Sequence, residues 1–192
     1  MALRKRFAED FFLFAEHCLK IRTKAGAIRP FVPNEAQRHL HSQLEGQLQR
    51  TGKVRALVLK GRQQGVSTYA EARFYWRVTH RRGVRAFILT HENEATNNLF
   101  DMVARFHECN LEVMRPSADA SNARELIFGK LDSGYKVGTA GNKGVGRSST
   151  IQFSMVPRWH SGRTRMSTQR GSCRLSLTSL GQRLSLSRRQ TG

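Results

Sequence analysis

The stretch LVLKGRQQGVST, residues 57–68, decides the fold. It joins a short apolar run to a turn framed by Gly61 and Gly65, and the turn leads into a helical pattern that opens with Ser67 and Thr68. An apolar run of this length, ended by glycine, is typical of a buried strand. A strand, a glycine turn and a helix N-terminus together favour phosphate binding, because free backbone amides and the helix dipole attract an anion.

The elements around this stretch predict an α/β fold built on a parallel sheet. Apolar runs at 53–60 and 84–90 read as buried strands, and helical patterns cover 67–80 and 92–109. Alternation of strand and helix indicates parallel strands joined by crossover helices.

The flanking segments extend this prediction. Upstream, we expect an amphipathic helix over 3–22, a proline-containing loop, and a second helix over 35–50 that is capped by Asn34. Downstream, strands at 124–128 and 135–139 form a hairpin through Asp132-Ser133-Gly134, and a further strand begins at Thr150.

Charge divides the chain into two parts, a domain at 1–153 and a tail at 154–192. The net charge is +19, which favours an anionic partner such as nucleic acid. The tail holds eight arginines and no lysine or acid, so 1–153 keeps 25 basic and 14 acidic residues. Low-complexity arginine and serine predict a disordered basic tail.

Composition also argues against several classes of protein. No run of about 18 apolar residues exists, so no membrane span is expected, and acids interrupt the N-terminal segment that a signal peptide would need. The three cysteines, Cys18, Cys109 and Cys173, have no zinc-like spacing and are expected to be reduced thiols of a cytosolic protein.

The string GRQQGVST resembles the deviant Walker A loop of phage terminase large subunits, the ATPases of viral DNA packaging. The resemblance implies a partial P-loop fold of the additional-strand ATPase type, a parallel sheet with flanking helices. Val66 stands where the usual lysine would be, so Arg62 or Lys60 would supply the cation for the phosphates of ATP, and Ser67 or Thr68 would reach Mg²⁺. The implied nucleotide-binding residues are Gln37, Lys60, Gly61, Arg62, Gln63, Gln64, Gly65, Val66, Ser67 and Thr68.

Three other segments resemble parts of the same family. PNEAQ resembles the adenine-recognition segment, so Gln37 would bind the adenine edge and Phe31 would pack on the base, although a capped surface helix is the alternative. GNKGVGRSS resembles a glycine-rich basic segment in which Lys143 and Arg147 would touch DNA phosphate or a neighbour's nucleotide; the alternative is a solvated loop. LTHENEA follows the second strand, and its His91 and Glu92 are candidate catalysts. We interpret Glu92 instead as part of a helix N-terminus.

The tail lacks the acidic pair that such an ATPase needs at the end of the strand beginning at Thr150. A change of reading frame after Phe153 would explain this. If one T is restored and permitted codons are chosen, the tail reads FHGSEVAFWPH and ends in ESTANG, which resemble the acidic strand and the coupling motif of the family. A native basic tail or a designed fusion is the alternative.

The sequence therefore predicts the N-terminal ATPase part of a terminase large subunit, catalytically incomplete and without the nuclease domain. We assign no catalytic residue, and we expect ATP and Mg²⁺ as ligands. Expected partners are double-stranded viral DNA and, in the intact family, the portal and the small terminase subunit, in the cytoplasm of a bacterial host. The alternative function is a small basic nucleic-acid-binding protein without ATP turnover.

Overall fold

The structure is a computed structural model that describes residues 2–60, 64–122, 124–140, 151–159 and 171–178.

The N-terminal region consists of two helices and a small hairpin. Helices α1 (Ala2–Glu9) and α2 (Phe11–Cys18) are separated by Asp10, whose side chain accepts a hydrogen bond from the amide of Leu13 at 3.0 Å. The single helix predicted over 3–22 is therefore wrong, because this aspartate has an extended backbone and caps a new helix.

The hairpin that follows pairs β1 (Lys20–Arg22) with β2 (Ile28–Pro30) in antiparallel register. It lies partly within the predicted helix and partly within the segment predicted to be a loop. Both predictions missed it, because strands of three residues give too short a pattern to read.

The central unit matches its prediction closely. It contains α3 (Glu35–Thr51), β3 (Lys53–Lys60), α4 (Val66–His80), β4 (Arg85–Thr90) and α5 (Asn93–Glu108). The succession of strand, turn, helix, strand and helix is confirmed. The boundaries differ from the predicted ones by one residue at most.

The remaining strands complete a seven-stranded sheet. They are β5 (Ala120–Asn122), β6 (Glu125–Phe128), β7 (Ser133–Thr139), β8 (Phe153–Trp159) and β9 (Gly171–Thr178), and the order across the sheet is β3-β9-β8-β4-β7-β6-β5. Strand β4 pairs in parallel with β7 and β8, whereas the other pairs are antiparallel. The fold is α/β with flanking helices, but the sheet is mixed and not parallel throughout.

The predicted hairpin is present as β6 and β7. A 3-10 turn at Gly129–Leu131 connects the strands, and Asp132 follows it with φ of 46°. The turn therefore lies earlier in the chain than the predicted Asp132-Ser133-Gly134, because residues 133 and 134 already belong to β7.

Two features of the sheet differ from the sequence-based prediction. Strands β3 and β4 run in the same direction, as predicted, but β9 and β8 lie between them. The tail is not disordered throughout, since Phe153–Trp159 and Gly171–Thr178 form strands and β9 pairs with both β3 and β8. Strand β9 thereby fills the gap in the hydrogen-bonding ladder between these two strands.

Helix α4 lies at the centre of the core. Most of its residues are buried, and it packs against α2, α5 and the sheet. The indole of Trp76 donates a hydrogen bond to the carbonyl of Phe7 at 2.7 Å, which fastens α1 to this helix. Among the described residues, no helix has the length and the apolar character that crossing a bilayer requires.

Candidate functional site

The carboxyl ends of four strands lie at one edge of the sheet. Strands β3, β8, β4 and β7 point the same way, as their pairings show, so Lys60, Trp159, Thr90 and Thr139 end at this edge. Loops that follow the carboxyl ends of such strands are the usual place for ligand binding in α/β folds. The GRQQG turn follows β3, and the glycine-rich segment that contains Lys143 and Arg147 follows β7.

The turn after β3 delivers an open helix N-terminus to this edge. Gly65 is the N-cap of α4, with φ of 70° and ψ of 14°, and no side chain among the described residues caps the helix. Its carbonyl accepts the first helical hydrogen bond from the amide of Tyr69 at 2.9 Å. In the part of the chain that the structure describes, the amides of Val66, Ser67 and Thr68 have no side-chain acceptor, and with the positive end of the helix dipole they suit an anion.

Gln37 holds this turn in place. Its Nε2 donates to the carbonyl of Gly65 at 2.7 Å, and its Oε1 accepts from the amide of Asn34 at 2.9 Å. The Asn34 side chain accepts in turn from the amide of Gln37 at 2.9 Å, which completes a capping box at the start of α3. Asn34 Nδ2 also donates to the carbonyl of Gln64 at 3.4 Å.

This arrangement bears on the role predicted for Gln37. The residue is only 3% exposed, and both ends of its side-chain amide already have protein partners. In this conformation it positions the loop, and a contact with adenine would use its second Nε2 hydrogen or a changed rotamer. Phe31 is 1% exposed and belongs to the hydrophobic core, so the prediction that it packs on a base is wrong.

Glycine at position 65 is required by two independent constraints. A left-handed φ is costly for residues with a side chain, and a Cβ at this position would lie 2.5 Å from Gln37 Nε2. The close approach of α3 to the turn therefore depends on the missing side chain.

The hydroxyls of Ser67 and Thr68 fit the expected metal ligand. Both residues are half-buried, and neither hydroxyl has a hydrogen-bond partner in the part of the chain that the structure describes. A hard cation such as Mg²⁺ takes oxygen ligands and keeps several waters, so one hydroxyl together with phosphate oxygens is a reasonable set. No group of three or more His, Cys, Asp or Glu side chains that could hold a metal ion by itself occurs in the described ranges.

Several predicted residues cannot be placed in this geometry. Gly61, Arg62 and Gln63 lie outside the described residues, as do Lys143 and Arg147. Lys60 ends β3, and only its backbone is described. The choice between Arg62 and Lys60 as the phosphate cation therefore stays a prediction.

A cluster of hydroxyls lies at the ends of β4 and β7, close to the start of α5. Thr96 Oγ1 contacts the hydroxyls of Thr90 and Thr139, the latter at 2.7 Å, and Thr139 Oγ1 donates to Asn93 Oδ1 at 2.9 Å. These contacts fasten the N-terminus of α5 to two strand ends. Glu92 occupies the N-cap position of α5, as expected, but its side chain makes no capping hydrogen bond.

A buried carboxyl, which no sequence pattern predicts, lies one helical turn beyond Ser67. Glu71 is fully buried, and its two oxygens have no hydrogen-bond partner among the described residues. Burial raises the pKa of Glu71 well above its usual value, and burial, followed by the proximity of Glu71, also raises the pKa of Tyr135. A raised pKa favours the neutral carboxyl, which is a poorer metal ligand than a carboxylate.

A second unpredicted cluster connects α3 to α4 on the other side of the helix. Arg73 is 1% exposed, and its Nη1 lies 2.6 Å from Glu45 Oε1, with Arg77 beside the same carboxylate at 3.4 Å. Burial alone would raise the pKa of Glu45, but the two guanidinium groups outweigh burial and lower it. Burial and then Arg73 lower the pKa of His41 to about 4, so this histidine is neutral at physiological pH.

No protein-family model matches this chain, and the search of curated proteins found no significant similarity.

Proposed function

We propose that this chain is the N-terminal ATP-binding part of a terminase-like DNA-packaging ATPase, which binds Mg·ATP but is catalytically incomplete. The observation that carries the proposal is the GRQQGVST segment between β3 and α4, with its uncapped helix N-terminus at the carboxyl edge of the sheet. The loop amides and a cation from Arg62 or Lys60 would bind the phosphates, and Ser67 or Thr68 would reach the metal.

The bound metal would neutralise the charge of the β- and γ-phosphates. The protein would contribute the fixed amides of α4, whose position depends on Gln37 and Gly65. Such preorganised donors bind a phosphate without the cost of ordering the loop on each encounter.

Catalytic incompleteness is supported by the strand that neighbours β4. Phosphoryl transfer needs carboxylates that order Mg²⁺ and the attacking water, and β8, with the sequence FSMVPRW, supplies neither Asp nor Glu. The whole segment 154–192 contains no acid. Arginine attracts phosphate but cannot accept a proton from water.

Hydrogen exchange tests nucleotide binding at the proposed place. Addition of Mg·ATP should slow amide exchange at residues 64–68, because phosphate oxygens would accept hydrogen bonds from helix N-terminal amides that have no intrahelical acceptor. Protection that appears elsewhere but not at these residues would contradict the assignment of the loop.

Turnover tests the proposed defect. The chain should hydrolyse ATP negligibly, whereas a version with one base restored after Phe153 and continued through ESTANG should show measurable turnover. An Arg62→Ala variant of the restored version controls for contaminating ATPase. Equal ATPase rates from the two versions would show that the missing acids are not what prevents hydrolysis. The nucleotide sequence across codons 150–192 would decide separately whether a base is missing.

The second candidate is a small basic protein that binds nucleic acid without ATP, and the net charge of +19 favours it. It predicts salt-dependent DNA binding together with no protection of residues 64–68 by Mg·ATP. The exchange experiment therefore separates the two candidates.

A further inference from the structure

A basic groove lies at the end of α4 that is remote from the GRQQG turn. It has a volume of about 740 Å³ and lies between α1, the C-terminus of α4, the segment after α5 and the turn before β7. Helix α4 spans 15 residues, which separates the groove from the helix N-terminus by about 20 Å. The groove is thus a separate place from the proposed nucleotide site.

The charge of the groove has one sign. Arg4 and Lys5 come from α1, Arg115 from the segment after α5, and Lys130 from the turn, whereas no Asp or Glu is among the lining residues that the structure describes. All four side chains are exposed at their positions. Four cations around one concave surface repel each other, and this repulsion is relieved when an anion binds between them.

The internal partners of these cations are weak. Lys5 lies 4.0 Å from Glu9 in an exposed pair, which solvent screens, and Arg115 Nη1 donates to the backbone carbonyl of Glu108 at 3.2 Å. Neither interaction brings a carboxylate into the groove. Most donors of the two guanidinium groups therefore stay available for a ligand.

His80 helps to form the wall but adds no charge. Its Nδ1 lies 2.9 Å from the carbonyl of Trp76, which can only accept, so Nδ1 carries the proton of the neutral ring. Burial, together with the nearby guanidinium of Arg4, lowers the pKa of His80. The positive charge thus comes from the four lysine and arginine side chains.

We propose that this groove is a second anion site, which binds phosphate groups of a nucleic-acid backbone or of a free polyphosphate. Arginine binds phosphate through two parallel hydrogen bonds, and lysine binds it as a compact charge, so two of each suit two neighbouring phosphates. The site uses none of the residues of the GRQQG turn and does not depend on the proposed ATP binding.

Two ligands distinguish the two sources of phosphate. A fluorescent 12-base-pair duplex is titrated by anisotropy at several salt concentrations, and pyrophosphate without Mg²⁺ is titrated by calorimetry. The test variant is Arg115→Ala/Lys130→Ala, and the control is Lys53→Ala/Arg55→Ala, an equal change of charge on exposed β3 residues that do not line the groove. Thermal melting checks that both variants fold.

The test variant should lose about tenfold or more in affinity for at least one ligand, while the control stays near the unchanged protein. For the duplex, the slope of log K against log salt should fall by about two units, one for each lost phosphate contact. Loss for the duplex alone identifies nucleic acid, and loss for pyrophosphate identifies the free polyphosphate. Equal losses in the test and control variants, or no loss for either ligand, would overturn the proposal.

Discussion

The side-chain amide of Gln37 donates a hydrogen bond to the carbonyl of Gly65 at 2.7 Å, and this contact joins the start of α3 to the start of α4. The two residues are 28 positions apart in the sequence. Their contact holds the uncapped N-terminus of α4 in position beside the segment that precedes α3. Substitution of either residue should therefore change both the free energy of unfolding and the affinity for nucleotide.

Replacement of Gly65 by alanine should destabilise the protein more than the same change at a glycine with equal backbone geometry. Gly52 also has φ of 70°, but a Cβ there would meet nothing within 4 Å, whereas at Gly65 it would lie 2.5 Å from Gln37 Nε2. Gly52→Ala should cost about 1 kcal/mol through the left-handed φ alone, and Gly65→Ala should cost more. Urea denaturation of both variants measures the difference, and equal losses would show that the close approach to Gln37 contributes nothing.

Replacement of Gln37 by leucine should lower the free energy of unfolding by about 1–3 kcal/mol, because the amide of Asn34 loses its acceptor and the carbonyl of Gly65 keeps only the amide of Tyr69 as a donor. Gln49→Leu, an exposed position on the same helix, is the matched control and should change stability by less than about 0.5 kcal/mol. The affinity for Mg·ATP should fall with Gln37→Leu and stay unchanged with the control. A stable Gln37→Leu protein with intact affinity would show that the loop does not depend on this residue.

Replacement of Glu71 by glutamine should stabilise the protein at alkaline pH. Folding raises the pKa of Glu71, so its contribution to stability is full below the unfolded pKa and is lost as pH rises through the folded pKa. Glutamine does not titrate and avoids this loss. In urea denaturation, Glu71→Gln should raise the free energy of unfolding at about pH 8.5, and the increase should shrink towards about pH 5. An increase that does not depend on pH would mean that Glu71 does not titrate between these values.

Replacement of Glu45 by glutamine should cost about 3 kcal/mol, because it leaves the buried charges of Arg73 and Arg77 without a carboxylate. Glu16→Gln, which breaks an exposed pair with Arg38, should cost less than about 1 kcal/mol. Denaturation of the two variants at neutral pH provides the comparison. Similar small losses would indicate that the arginines find other partners or water.

Local signals in the sequence were sufficient for the central unit. Asn34 and Gln37 predict the cap of α3, and the apolar run ended by Gly61 predicts β3, because each pattern depends only on neighbours in the chain. The break at Asp10 was missed, since the helical spacing of the phenylalanines continues across it.

Long-range features could not be read in the same way. Residues 171–178, GSCRLSLT, have apolar residues at every second position, 173, 175 and 177, which is typical of a strand, but the surrounding arginine- and serine-rich composition favours disorder. Even with that strand recognised, its insertion between β3 and β8 depends on contacts between distant segments. The burial of Glu71 was equally hidden, because the helical pattern does not tell which stripe of α4 faces the sheet.

Equilibrium calorimetry with Mg·ATP tests whether the segment at residues 57–68 binds the phosphates of ATP. The unchanged chain should bind one ATP saturably, and Arg62→Ala and Ser67→Ala should each weaken binding by about tenfold or more, since each would remove a group proposed to contact the phosphates or their metal ion. Thr51→Ala, which removes a hydroxyl at the end of α3 that donates to the carbonyls of Gln47 and Lys53, should leave the affinity unchanged. No saturable binding, or equal affinity in all four proteins, would contradict the account.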